Sequence, residues 1–195
     1  MERLRTNAPL VGFLLRSAVL PSGSTLSITD WTKPAAEPEI AICLAKDLPA
    51  NSDRETAMAA VSGLAPAIEL ADVDHPSDDV EGTLARNIYQ RHLILGLPGT
   101  SRAGLLNGLI CRVGRSGSEI AHIAHPHSLQ ALTGELIENV RHVANLLSAF
   151  GETLRAGQII IGGSITPPLW VAPGEEVVFE LTPIDTISIR FAPPA

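Results

Sequence analysis

The chain has 195 residues, 45% of them hydrophobic but only 4% aromatic, and a formal charge of −7 from 14 Lys plus Arg against 21 Asp plus Glu. That length sets a single domain with an aliphatic core as the expectation, and an acidic balance without a basic block or stripe argues against a nucleic-acid partner. With 15 prolines and 16 glycines the chain must turn often, which favours short strands over a helical bundle.

The first segment, "MERLRTNAPLVGFLLRSAVLPSG", has an apolar run that is short and broken by Arg16, with no cleavage site after it. It reads as the first strand, ending in the turn "PSGS", and not as a signal peptide. No stretch approaches the roughly twenty apolar residues of a membrane span, so a cytoplasmic protein is expected. "EIAICLAKDL" reads as a strand covered on both faces. "SDRETAMAAVSGLA" has helical character, with Ser52 or Asp53 as the cap. "PAIELADV" alternates as a strand led by a proline. "DDVEGTLARNIYQRHLILG" begins as a helix and runs into the short strand "LILG". "LICRVGRSGSEIAHIA" reads as a hairpin turning at "GRSGS". From His127 to Gly151 the apolar positions Leu129, Leu132, Leu136, Val140, Val143 and Leu147 fall at three- and four-residue steps, which predicts an amphipathic helix stopped by Gly151. "QIIIGGSI", "EEVVFELT" and "TISIRFA" follow as strands between Pro/Gly turns. The order predicts an α+β fold, mainly β, as one unit. Cys43 and Cys111 lie in apolar runs outside any metal-type spacing and read as buried free thiols.

The chemistry gathers on carboxylates. Glu37 and Glu39 flank Pro38 at the entrance of the second strand, and two residues apart on an extended chain they share a face. Glu69 lies on another predicted strand. Burying like charges without a partner is costly, so a solvated loop and a cation-binding site are the two readings of this pattern. Three carboxylates on neighbouring strands would make an all-oxygen site suited to Mg²⁺ or Mn²⁺ rather than zinc.

Three blocks in order, "AAEPEIAICLAKDL", "APAIELADV" and "TLRAGQIIIGGSITPPLWVAPGEEVVFEL…ISIRF", resemble the 2-keto-4-pentenoate hydratase / 2-oxo-3-hexenedioate decarboxylase family of the fumarylacetoacetate hydrolase superfamily. The resemblance runs from about Val11 to Phe191. It implies the superfamily's mixed β-sheet roll with peripheral helices, and a divalent metal held by Glu37, Glu39 and Glu69. In such a site the metal chelates a small 2-oxo acid and polarises it towards the enolate. A metal-dependent lyase, hydratase or decarboxylase, is the implied activity. In relatives the block matching "GGSITPP" lies near the substrate, which implies that Ser164 and Thr166 hydrogen-bond it, with turn hydroxyls closing a strand as the alternative, and Asn87 matches a family position and is taken as substrate-binding. A homo-oligomer, or a complex with a pathway enzyme, is the expected assembly.

The sequence also departs from the family. The helical region that carries a catalytic lysine has no counterpart here, and Arg16 stands where relatives often have an acid. Arg86 replaces another acid in "ARNIYQRH", which makes Arg86 and His92 candidate acid/base groups, with Arg91 beside them. Solvated helix or loop positions are the alternative for these residues, for His75, and for His122, His125 and His127 in "HIAHPH". Two other functions stay open at this point: a non-catalytic partner or binding protein, and another superfamily reaction such as acylpyruvate C–C hydrolysis.

Overall fold

The two longest strands run side by side and set the frame. In the computed structural model, which describes residues 8–75, 79–99, 106–124 and 133–194, the strands are β1 (Val19–Leu20), β2 (Ser24–Leu26), β3 (Pro34–Leu44), β4 (Val61–Asp72), β5 (Gln90–Leu95), β6 (Ile110–Arg115), β7 (Ser118–Ile123), β8 (Ile159–Ser164), β9 (Leu169–Trp170), β10 (Glu176–Thr182) and β11 (Asp185–Phe191). The helices are α1 (Arg54–Ala60), α2 (Val80–Ala85) and α3 (Leu136–Ala149). One sheet runs β1-β5-β4-β3-β8, with β9 also paired to β3, and the other runs β2-β11-β10-β6-β7. Pairing is antiparallel except for β1 with β5 and β2 with β11. The mainly-β, mixed-sheet fold expected from the sequence is the fold observed.

The core lies between the sheets. Even-numbered residues of β3 and β4, among them Ala36, Ile40, Ile42, Leu64, Ile68 and Leu70, pack in one cluster with Phe179, Leu181, Ile187 and Ile189 of the second sheet. α3 adds Leu136, Ile137, Val140 and Ala144 to it. The odd-numbered residues point to the other face, where Ala41, Ala65, Ala67 and Leu93 form a smaller cluster under Leu14, Leu95, Ile159 and Ile161. Side chains alternate along a strand, so one pleat gives the first sheet a mainly apolar face and a face that carries the carboxylates.

Both long strands contain a proline, and the hydrogen bonds show why each is tolerated. The N–H and C=O of a strand residue point to the same side. The Pro38 carbonyl accepts from Ile165 N at 3.0 Å, so its missing N–H faces the interruption between β8 and β9. The Pro66 carbonyl accepts from Gly96 N at 2.9 Å, just past the end of β5. Each proline therefore sits where no ladder partner is lost. For the same reason β4 does not start at a proline, as the sequence pattern suggests, but runs through Pro66 from the end of α1.

Caps and turns follow the expected residues. Asp53 accepts from Thr56 N at 2.7 Å and caps α1. The hairpin β6–β7 turns at Ser116 and Gly117, both at positive φ. α3 is shorter than the periodicity predicts, because Gly134 at φ 128 precedes it and Glu135 caps it by accepting from Glu138 N at 3.0 Å. Positions 125–132, including Leu129 and Leu132, lie outside the described residues. Cys111 is buried, and burial pushes its thiol up to about 12, while Cys43 is only partly buried. No described helix is long and apolar enough to cross a membrane.

Candidate metal centre

Register brings the three glutamates together. Glu37 stands opposite Glu69 across the β3–β4 ladder, and Glu39 stands two residues along on the same face, opposite Ala67 on one side and Ser164 on the other. Each offers a carboxylate oxygen, and these oxygens lie within 4.8 Å of one another. Beside them on the same face are the small side chains Ala41, Ala65 and Ala67 and the buried Leu93. Glu39 is 1% exposed, and its Oε2 accepts from Gly163 N at 2.8 Å. Gly163 reaches that position at φ +96, where a Cβ would strike the Thr133 side chain at 2.7 Å. The second glycine of "IIGGS" thus aims a backbone N–H at the most buried carboxylate.

The electrostatics are unfavourable for three free carboxylates. Burial pushes Glu39 well above the usual carboxylate range, and the charges of Glu69 and Glu37 raise it further against the pull of the Gly163 N–H. Glu69 is pushed up to about 8, by burial first and the Glu37 charge second, with a hydrogen bond from Glu39 pulling the other way. Glu37 is raised by burial. Among the described residues, no positive side chain is among the groups acting on these three. A preformed, water-poor cluster of hard oxygen donors whose charges lack a neutralising partner fits a divalent cation of the Mg²⁺ or Mn²⁺ type.

The other sequence candidates separate. Ser164 lies against the cluster, opposite Glu39, and donates to the Thr166 carbonyl at 2.7 Å. Thr166 donates to the Pro167 carbonyl at 3.2 Å and lines a cavity of about 370 Å³ with Val113, Ile123 and Leu169. Asn87, expected to bind substrate, is committed to the chain itself. Its Oδ1 accepts from Phe13 N at 2.7 Å, and its Nδ2 donates to Phe13 O at 2.8 Å and to Gln90 Oε1 at 3.3 Å.

The structure does not bring His92 to the carboxylates. It pairs with Leu70, whose side chain is in the main core, and so it points to the face opposite the carboxylates. Its ring stacks on Trp31 at 6.2 Å with a 13° interplanar angle. Arg86 and Arg91 are held by acids: Arg86 Nε is 3.5 Å from Asp74, and Arg91 is 3.7 Å from Asp72 and 3.4 Å from Asp74. His75 is exposed, 3.9 Å from Asp79, and His122 is exposed, 3.6 Å from Glu119. His125 and His127 lie outside the described residues. Sequence reasoning also missed Gln90. It pairs opposite Ala71 beyond a bulge at Arg91, which puts it on the carboxylate face. Only the strand register reveals it.

No protein-family model matches the chain. Among curated proteins it is 30% identical to a 2-hydroxyhexa-2,4-dienoate hydratase of Comamonas testosteroni over 196 residues, 97% of this chain and 73% of the relative. The chain belongs to the 2-keto-4-pentenoate hydratase / 2-oxo-3-hexenedioate decarboxylase family of the fumarylacetoacetate hydrolase superfamily. A second family member, a 4-oxalocrotonate decarboxylase of Pseudomonas putida, is 26% identical over 98% of this chain and 72% of its own length. Among solved structures, the 4-oxalocrotonate decarboxylase from Pseudomonas putida G7 complexed with magnesium and adipate superposes with a TM-score of 0.85 at 24% identity, over 98% of this chain and 73% of that one. The fumarylpyruvate hydrolase from Pseudomonas aeruginosa in complex with Mn²⁺ and pyruvate gives 0.71 at 18% identity, over 91% of this chain and 76% of that one. The fold is therefore the superfamily's, and the curated relatives are hydratases and decarboxylases.

Proposed function

We propose that the protein is a metal-dependent lyase, a hydratase or decarboxylase, acting on a small 2-oxo or 2-hydroxydienoic acid. The observation that carries this reading is the cluster of Glu37, Glu39 and Glu69, whose carboxylates lie within 4.8 Å of one another. Those three residues would hold Mg²⁺ or Mn²⁺, the class of ion complexed by the two solved relatives. When bound, the ion supplies Lewis-acid polarisation of the substrate's 2-oxo group, the electron sink that hydration and decarboxylation share.

The chain's own residues do the rest. Gly163 N–H fixes one oxygen of Glu39, so the cluster is ordered before ligands arrive. Ala41, Ala65, Ala67 and Leu93 form a buried apolar cluster beside the carboxylates, and low polarity there strengthens each charge interaction. Ser164, tied to the Thr166 carbonyl, presents its oxygen beside Glu39 as an acceptor for substrate or water.

The test is the ultraviolet absorbance of a 2-hydroxydienoate followed with and without Mg²⁺, for the wild type and Glu39→Gln. Metal-dependent decay in the wild type alone is expected. Equal decay in both proteins would sink the reading.

A further inference from the structure

The backbone group that holds the Glu39 carboxylate is itself held from behind. On the β3–β8 ladder Glu39 faces Ser164 and Ala41 faces Ile161, so Ile40 alone stands against two residues, Gly162 and Gly163. Such a bulge turns backbone groups of the longer strand out of the ladder. Both polar groups of the peptide between the two glycines go to side chains. Its N–H donates to Glu39 Oε2 at 2.8 Å. Its carbonyl accepts from Asn139 Nδ2 at 3.0 Å and from Thr133 Oγ1. Asn139 Nδ2 also donates to Thr133 Oγ1 at 3.0 Å, which closes a ring of three groups. The two amide hydrogens go to the hydroxyl and the carbonyl, and the hydroxyl hydrogen goes to the carbonyl, so each donor hydrogen has an acceptor.

Asn139 is a polar side chain in the buried stripe of α3, among Leu136, Ile137, Val140 and Ala144. A buried amide is costly unless its hydrogen bonds are made. Here they are spent on this one carbonyl and the hydroxyl beside it. The helix comes close enough to reach it, since a Cβ at Gly162 would lie 2.6 Å from Leu136 Cδ2. The C=O and N–H of a trans peptide point in opposite directions, so a carbonyl fixed on Asn139 fixes the N–H on Glu39. With glycine on either side this peptide can turn over at small cost, because glycine takes both signs of φ. Turned over, it would set a carbonyl oxygen against the carboxylate. A carbonyl that accepts two bonds is also more polarised, which strengthens the N–H at the other end of the same peptide.

We infer that Asn139 and Thr133 are positioning residues for the metal centre: acting through the Gly162–Gly163 peptide, they set the orientation of the Glu39 carboxylate. This deepens the metal-dependent reading above and rests on it. The two side chains act at one remove, on the group that holds a ligand. They tie the first turn of α3 to the carboxylate cluster, although the three carboxylates all stand on β3 and β4. Partners of this kind cost metal affinity when removed even though the ligands themselves are untouched.

The experiment measures Mg²⁺ binding by calorimetry, and the Gly163 amide proton by NMR in the metal-free protein, for the wild type, Asn139→Leu, Thr133→Val and Thr133→Ser. Asp53→Ala, which loses the cap of α1, is the variant destabilised away from the site. Circular dichroism sets a temperature at which each protein is folded. The wild-type Gly163 proton is expected downfield and slow to exchange, and in Asn139→Leu and Thr133→Val it should move upfield and exchange faster. Mg²⁺ affinity should fall roughly tenfold or more in those two variants. It should stay near wild type in Thr133→Ser, which keeps the hydroxyl, and in Asp53→Ala. Thr133 is only half-buried, so its variants carry the test if Asn139→Leu fails to fold. Wild-type affinity in folded Thr133→Val, an unmoved Gly163 signal, or an equal loss of affinity in Thr133→Ser or Asp53→Ala overturns this inference alone. A wild type that binds no Mg²⁺ overturns the metal reading and this inference with it.

Discussion

Glu69→Gln separates the cost of the carboxylate cluster from everything else in the fold. In the folded, metal-free chain the Glu69 carboxyl is pushed up to about 8 from an ordinary 4.5, by burial first and the charge of Glu37 second. A folded value above the unfolded one means that the folded state binds the proton more tightly between the two. The group's contribution is then fully present below about pH 4.5 and is lost as pH rises through about 8. Integrating that linkage from pH 5.5 to 7.5 gives a loss of about 2–3 kcal/mol. For a chain of this length that corresponds to a fall in Tm of about 5–10 °C. The lowered carboxylates, Asp47, Asp53 and Glu135, have the opposite sign and act as pH falls below the ordinary range, outside this window. Differential scanning fluorimetry in EDTA at the two pH values should show the fall in the wild type and a flatter response in Glu69→Gln. Saturating Mg²⁺ should raise the wild-type Tm most at pH 7.5, where the carboxylates are most in need of a counter-charge, and leave Glu69→Gln nearly unmoved. Superimposable pH slopes for the two metal-free proteins would refute the reasoning, because the cluster would then carry no electrostatic cost for an ion to relieve.

Four further outcomes follow from named contacts. Glu39→Gln keeps an acceptor for Gly163 N–H but removes a buried charge, so calorimetry should show Mg²⁺ affinity falling by more than the roughly 10–100-fold typical of losing an outer-shell partner. Gly163→Ala forces a Cβ against Thr133 at 2.7 Å from a φ of +96, and should lower both the denaturation midpoint and the metal-induced rise in Tm. Asp72→Ala strips the acceptor from Thr32 N and Lys33 N, bonded at 2.9 and 2.7 Å, and urea denaturation should show a loss of about 2–3 kcal/mol. His92→Ala should leave dienoate turnover near the wild-type rate while losing about 1 kcal/mol of stability from the Trp31 stack, and a collapse of turnover at intact stability would put His92 back in the chemistry.

The contrast between Glu39 and His92 shows where a sequence stops being informative. Glu37 and Glu39 are two residues apart, and the period of a strand alone puts them on one face. Glu69 joins them because a long antiparallel pair keeps its register from Pro34↔Asp72 to Cys43↔Gly63 without a bulge. β5 is different. Its ladder with β4 slips between Leu70 and Ala71, so Arg91 has no opposite number, and Gln90 returns to the carboxylate face while His92 stays on the core side. A one-residue slip reverses every facing beyond it, and no composition or period in "NIYQRHLILG" announces it. The same blindness affects the proline of "EPE". Local propensity marks Pro38 as a strand breaker, yet it lies in an eleven-residue strand because the partner strand is interrupted between Ser164 and Leu169, more than a hundred residues later. That interruption also frees the segment carrying Ser164 and Thr166 to turn beside Glu39. The break in the ladder that tolerates the proline is thus the point where the chain carrying Ser164 turns away beside Glu39, so the place of the proline and the neighbour of the buried glutamate follow from one interruption of the sheet.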